Sequence, residues 1–288
     1  MFTNALPSEL LDVAAAHDPD VYTATAYSSG YADMRDYEQL LAVFLLGDMG
    51  SSATYIAKLQ SAVAASGGAD IVGKTITSLT QAGTDGDKQA MINLRREEMD
   101  LANLHRFVKA LITIGVQSVD SSVIILGAKS GVFPNAKLSE VVALLATVDP
   151  DAVAPTAHNS DWIDVSKWHG LLAVLQIGDL GAGTTVTAKF EQATTSGGSA
   201  KDVTGRATAT IDQTTSPNPS NQAIKLDCLP EDLDIANGYR WVRLVVTVTD
   251  EDSPADSTSD IAAAVFGVNP RTGIASDQDL ASVDEIVA

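Results

Sequence analysis

The sequence predicts a mainly β protein built of two tandem homologous antiparallel β-sandwich domains (jelly-roll or Ig-like). A short helical or extended lead-in precedes each. Three observations carry this reading. A ten-residue stretch occurs twice, Asp100–Lys109 (DLANLHRFVK) returning as Asp234–Arg243 (DIANGYRWVR). The match spreads outward at a constant offset of 131 residues up to about Ala69, so that Leu40–Val43 recurs as Leu171–Val174 and Asp18–Asp20 as Asp149–Asp151. Self-similarity at a fixed period marks a duplicated structural unit. Finally, short alternating apolar runs are punctuated by Gly and polar turns every eight to twelve residues or so, the pattern of a sandwich.

In chain order, the lead-ins come first. Pro7–Ala16 reads as a short helix, with Pro and Glu at its start and Asp18-Pro19 as its stop. Its counterpart Leu138–Leu145 is richer in Val and reads as helix or extended chain. The first strand alternates Leu40, Ala42, Phe44 and Leu46, matched by Leu171, Ala173, Leu175 and Ile177. On its other face Leu45 is replaced by Gln176, which predicts solvent there in the second copy. Ser52–Ala65 is Ala-rich and has helical propensity, but Thr184–Glu191 opposite it is β-branched and alternating. Two copies of one fold share a backbone path, so both segments are expected to be strands. Short strands follow at Ala90–Leu94 and Ala223–Leu226. The signature strands place Val108, Ala110, Ile112 and Ile114, and Val242, Leu244, Val246 and Val248, toward the core. A last strand is expected over Ile261–Phe266. The expected divisions are 1–134, 135–270 and an acidic arm, 271–288, whose Leu280, Val283, Ile286 and Val287 fall at roughly helical spacing.

Composition narrows the function classes. With 288 residues and 45% hydrophobic content, each copy can bury a core of its own. No apolar run approaches the ~20 residues of a membrane span, and no basic-then-apolar leader opens the chain. The single cysteine, Cys228, rules out an internal disulfide framework and a multi-cysteine zinc site. These features are expected of a protein made in a reducing cytoplasm. The net charge of -19 is uneven, -6 over residues 1–134 and -13 over 135–288. Such a field repels nucleic acid and anionic lipid, so neither is an expected partner.

No catalytic, cofactor or metal constellation stands out. His105, His158 and His169 face Tyr239, Tyr27 and Glu38 at equivalent repeat positions, which does not suit a shared active site. Cys228 has no evident His partner for nucleophilic work. Gly47–Gly50 lacks the Lys-Ser/Thr of a phosphate loop. Asp250, Glu251, Asp252 and Asp256 are carboxylates of the kind Ca²⁺ takes, but their spacing matches no EF-hand loop. Arg106 with Phe107, Arg240 with Trp241, and Trp168 form a recurring structural signature. The arginines are expected to pin loops through Asp48/Asp179 or Asp100/Asp234.

The second half, through Trp168, Leu172–Val174, Gly178–Leu180, Lys189–Glu191, Lys201–Gly205, Gly238–Leu244 and Val265–Gly267, resembles tailed-bacteriophage virion structural proteins of the capsid decoration or cement type. That resemblance implies a non-enzymatic protein on the outer surface of the head, binding the major capsid protein, with copies of itself on the shell as a second candidate partner, without a cofactor. The alternative it implies is a tandem carbohydrate- or receptor-binding module of the tail, with Trp168 and Trp241 as its platform. Under the first implication, features not shared by the two copies are the candidate capsid contacts: Leu10, Leu11, Leu45, Val141, Val142, Leu280 and Ile286.

Overall fold

The computed structural model describes residues 5–81, 87–134, 136–212, 222–250 and 258–288. It is mainly β, with antiparallel sheets packed face to face in two compact units. The first sandwich comprises Leu10–Val141 with Ala281–Ala288; the second comprises Met1–Glu9 with Val142–Leu280. This differs from the linear division expected at residue 134. Residues 5–9 and 281–288 lie in the unit that does not contain their sequence neighbours, and 138–141 stay with the first sandwich although they lead into a strand of the second.

One sheet of the first sandwich runs, edge to edge, Leu11–Tyr22, Val119–Ala128, Gln39–Met49, Lys88–Arg95 and Val283–Val287. The opposite sheet runs Ala26–Ser28, Phe107–Gly115, Thr54–Ala62 and Ala69–Thr75. In the second sandwich the order is the same: Val142–Val153, Ser259–Pro270, Trp168–Ile177 and Gln222–Cys228, facing Ala157–Asn159, Trp241–Asp250, Thr184–Ala193 and Lys201–Ala207. Even the irregularities correspond. The edge strand Leu11–Tyr22 slips register between Val13 and Ala15 and between His17 and Asp20; its counterpart slips between Leu144 and Ala146 and between Val148 and Asp151. Bulges of this kind are tolerated at edges, where Pro19 removes no essential ladder bond.

Alternation explains each core. Leu40, Ala42, Phe44 and Leu46 meet Tyr55, Ala57, Leu59, Val108, Ala110 and Ile112 inside the first sandwich. Leu171, Ala173, Leu175 and Ile177 meet Val186, Ala188, Phe190, Val242, Leu244 and Val246 inside the second. The Ala-rich segment is the strand Thr54–Ala62, so sheet neighbours override its helical propensity. The same physics corrects the lead-ins. Only one helical turn forms, Pro7–Leu10 and Leu138–Val141; the chain then enters the strands Leu11–Tyr22 and Val142–Val153. The tail departs from its helical spacing as well. After a 3₁₀ turn at Ala275–Gln278, Val283–Val287 is a strand lying parallel to Lys88–Arg95.

A polar framework recurs with the backbone. Ser29 Oγ accepts from the Ala110 amide at 2.9 Å, and Ser160 Oγ from the Leu244 amide at 2.9 Å. Asp33 pairs with Arg106 at 3.3 Å and Asp164 with Arg240 at 3.4 Å. These carboxylates replace the expected Asp48/Asp179 and Asp100/Asp234 as the arginines' partners. Asp100 instead accepts from Asn103 within its own turn, and Asp234 from Asn237 and Lys201. Among the described residues no helix is long and apolar enough to cross a membrane.

Two predictions come from packing. The Trp168 ring lies directly on Gly267, where an added Cβ would sit 2.4 Å from it. Gly267→Ala is therefore expected to overpack the second core and lower its stability by about 1–3 kcal/mol in denaturant melts. The second prediction concerns Asp279. Its Oδ1 accepts from the Leu144 amide at 2.6 Å, while its Oδ2 is buried without a hydrogen-bond partner among the described residues. Burial pushes this carboxyl up to about 7, against the opposing effect of the Leu144 bond. The unfolded chain loses this proton near pH 4 and the folded chain near pH 7, so Asp279 subtracts stability progressively as pH rises through that window. Asp279→Asn keeps the acceptor without the charge. It is expected to raise the melting temperature at pH 8 and leave it nearly unchanged at pH 4, as read by thermal denaturation.

Candidate functional site

The expected contact residues are mostly not at the surface. Leu10, Leu11, Leu45 and Val142 are all buried, and Val141, Leu280 and Ile286 are half-buried. Leu11 and Val142 became strand residues instead of arms, and Ile286 is engaged in the tail strand. Gln176 is buried like Leu45, which corrects the expectation of solvent at that position. Trp168 is 1% exposed and offers no stacking face. Trp241 and Phe107 are half-buried, covered in part by the preceding arginines: Arg106 lies 4.4 Å from the Phe107 ring centre and Arg240 5.8 Å from that of Trp241.

The structure instead assembles a pocket at one end of the first sandwich. About 530 Å³ in volume, it is lined by Arg35, Val63, Arg96, Leu101, Leu104, His105 and Arg106. The turn Leu101–Asn103, capped by Asp100, ends at Leu104 in the left-handed conformation (φ 61°). This conformation costs an ordinary L-residue about 1–2 kcal/mol, and here it turns the Leu104 side chain outward at 74% exposure. Val63 and Leu101 are exposed beside it. Gly238 takes the same conformation in the second sandwich at φ 81° without that strain.

The pocket's charge is set by three guanidinium groups. Asp33 binds two of them, accepting from Arg35 at 2.7 Å and pairing with Arg106 at 3.3 Å. Burial alone would raise the Asp33 carboxyl, but its hydrogen bonds with Arg35 and the charges of Arg106 and Arg35 outweigh this and hold it below the usual carboxylate range. Arg106 Nε is buried with no hydrogen-bond partner among the described residues. Arg96 is exposed and makes no ion pair among the described residues. His105 Nδ1 lies 2.8 Å from Ser61 Oγ. Chemically this is a fork-shaped cationic surface with an apolar rim, suited to carboxylates presented on an apolar segment. It belongs to the first sandwich alone, since Ser166, Thr194, Pro230, Gly238 and Tyr239 stand where the first has Arg35, Val63, Arg96, Leu104 and His105. The repeat comparison could have exposed this cluster, but only by reading the mismatches as a group.

A smaller groove in the second sandwich, about 270 Å³, is lined by Trp162, Asp164, Lys167, Trp168, Trp241, Asp277 and others. Sequence reasoning missed Trp162, whose repeat equivalent is Tyr31. Both carry a cation: Lys109 over Tyr31 at 5.3 Å and Arg243 over Trp162 at 4.8 Å. Cys228 is fully buried, and burial pushes its thiol up to about 12, so it stays protonated at neutral pH. No group of three or more His, Cys, Asp or Glu side chains is placed to hold a metal among the described residues. Of the four carboxylates weighed for Ca²⁺, Asp250 ends the strand Trp241–Asp250, and Glu251, Asp252 and Asp256 lie outside the described residues.

No family model matches the chain, nor does any curated protein sequence. Solved structures show loose likeness. The PBSX exported protein XepA is 9% identical, with 91% of this chain and 88% of that one covered and a TM-score of 0.28. PNGase F of Flavobacterium meningosepticum, a glycosylasparaginase, is 9% identical, covering 90% and 96% with a TM-score of 0.32. The structure of broad bean stain virus is 10% identical, covering 99% and 97% with a TM-score of 0.27. An exported protein, a glycosylasparaginase and a virus are thus among the neighbours, and at such scores the likenesses carry no argument about what this chain does.

Proposed function

We propose that the chain is a non-enzymatic capsid decoration (cement) protein. In this reading it binds the outer surface of an assembled phage head and stabilises the major-capsid lattice through two linked lobes. The observation that carries the reading is the cationic, apolar-rimmed pocket of Arg35, Arg96, Arg106, Val63, Leu101 and Leu104 on a chain of net charge -19. A surface that concentrates guanidinium groups and exposed aliphatic side chains against the prevailing charge is built for an acidic protein partner. In this reading that partner is the capsid subunit, a choice supported by the sequence resemblance to head accessory proteins. Linking two lobes makes the second docking step intramolecular, which raises avidity by roughly 10²–10⁴ where geometry permits. Anything that binds only the assembled lattice stabilises it by mass action.

A second reading, a carbohydrate- or receptor-binding module, is favoured by one observation. In the groove of the second sandwich, Trp162 and Trp241 stand beside Asp164, Lys167 and Asp277, a mixture of aromatic faces and polar groups that suits a sugar.

Co-sedimentation tests the leading reading. The chain is expected to pellet with expanded shells and to stay in solution with free capsid subunits. Arg96→Glu combined with Leu104→Asp is expected to weaken shell binding by about tenfold or more, on the scale of a lost charge-assisted contact. The folded state should survive this change, because Asp tolerates the left-handed conformation better than Leu does. Equal binding to shells and subunits, or no effect of the double variant, would count against the assignment. Retention of the chain on a glycan array, abolished by Trp241→Ala, would favour the second reading instead.

A further inference from the structure

The two sandwiches share their strand order, but one pair of equivalent edges is finished differently. In the first, Lys88–Arg95 pairs with Gln39–Met49 on one side and receives Val283–Val287 in parallel on the other. The register places Val283 opposite Gln89, Glu285 opposite Ala90, Ile286 opposite Met91 and Val287 opposite Ile92. The Gln89 amide donates outward to the Ser282 carbonyl at 3.0 Å. Lys88 Nζ meets Asp284 at 3.0 Å, and the Thr77 amide donates to Glu285 at 2.6 Å. Val287 packs on the core flank, and Gln89, Ala90, Met91 and Ile92 are fully covered.

In the second sandwich, Gln222–Cys228 pairs with Trp168–Ile177 in the corresponding register. Gln89 lies opposite Leu45 and Ala223 opposite Gln176; Asn93 lies opposite Leu41 and Asp227 opposite Leu172. Ala223, Ile224, Lys225 and Leu226 therefore occupy the places of Gln89, Ala90, Met91 and Ile92. The lower ends of the two edges are also finished alike. Asn93 accepts from the Ser139 amide at 2.9 Å, and Asp227 accepts from the Ser8 amide at 2.8 Å and from the Ser8 hydroxyl. What differs is the upper part. Among the described residues no strand pairs with the outer side of Gln222–Cys228. Gln222 and Ala223 are exposed, while Ile224 and Leu226, which pack on the core, are only half-buried. Among the described residues there are two such edges and one tail strand to cover them.

The geometry points to the outer edge of Gln222–Cys228 as a docking site for one extended strand of a partner protein, added parallel to it next to the Ser8 cap. The occupant has the chemistry of Val283–Val287: four or five extended residues, with a β-branched side chain turned onto the flank of Ile224 and Leu226. It is assigned to another molecule, since the one described segment with this chemistry, Val283–Val287, is engaged on the first edge. Its main-chain groups pair with the outward amides and carbonyls of the edge, and the alternate side chains give selectivity. By equivalence with Gln89, the Ala223 amide is an outward donor. The inference goes beyond the proposed function and holds whatever that partner's wider role is.

A synthetic peptide of residues 282–288 (SVDEIVA) is the probe, added to the full-length chain and read by hydrogen–deuterium exchange and fluorescence anisotropy. Saturable binding is expected, with protection gained in 222–228 and not in 88–95. Ala223→Pro removes one outward amide at an edge position where proline is tolerated, and is expected to weaken peptide binding by about tenfold, the scale of one lost hydrogen bond. Should that variant fail to fold, the exchange pattern of the unsubstituted chain still decides. No protection of 222–228 at millimolar peptide, or binding that only displaces the tail from 88–95, would overturn the inference. So would protection of 222–228 that rises with protein concentration in the absence of peptide, which would assign the edge to a second copy.

Discussion

A sheet edge exposes a row of backbone N–H and C=O groups that must be paired, hydrated or capped, and this constraint governs how the chain is built. Its two sandwiches could each have closed on their own residues. Instead the first takes its last strand from Val283–Val287 and its cap from Ser139, while the second takes its cap from Ser8. Parallel addition requires the chain to return from far away in sequence, which it can do only after the second sandwich has been traced. The order of the sequence and the membership of the compact units therefore diverge, and neither linear half is complete by itself.

The strand framework common to the two sandwiches was the part most legible in the sequence. Alternation assigned the inward faces of Gln39–Met49 and Phe107–Gly115, and the repeat overruled helical propensity at Thr54–Ala62 because Thr184–Ala193 could be nothing but a strand. Where local pattern and sheet pairing conflicted, pairing won. Leu11–Ala16 looks helical by composition, but it lies beside Val119–Ala128 and follows its ladder. Val283, Ile286 and Val287 fit a helical stripe and a strand about equally, and only the position of Lys88–Arg95 decides between them. The partners of Arg106 and Arg240 were misassigned for a related reason. Asp33 and Asp164 are far away along the chain, and spacing says nothing about which loop lies under a long side chain.

The two sandwiches agree in their framework and depart from each other at their surfaces. Both sandwiches keep the Ser29/Ser160 bonds, the Asp33/Asp164 pairs and the matched bulges, which hold the fold. They differ where the surface could meet something else. Leu104 holds a strained left-handed conformation where its counterpart is glycine, and the result is an outward aliphatic side chain among three arginines. Val116 takes the same left-handed conformation at φ 72°, so it is the grouping of Leu104 with the arginines that sets this surface apart. The groove around Trp162 and the uncovered strand Gln222–Cys228 are the corresponding departures of the second sandwich.

The architecture depends most directly on the tail completing the first sandwich. Hydrogen–deuterium exchange on the full chain and on a chain ending at Leu280 tests this. Removing Ala281–Ala288 is expected to strip protection from the Lys88–Arg95 amides, beginning with Gln89, while Trp168–Ile177 and the rest of the second sandwich exchange as before. Unchanged protection across Lys88–Arg95 after truncation would contradict it.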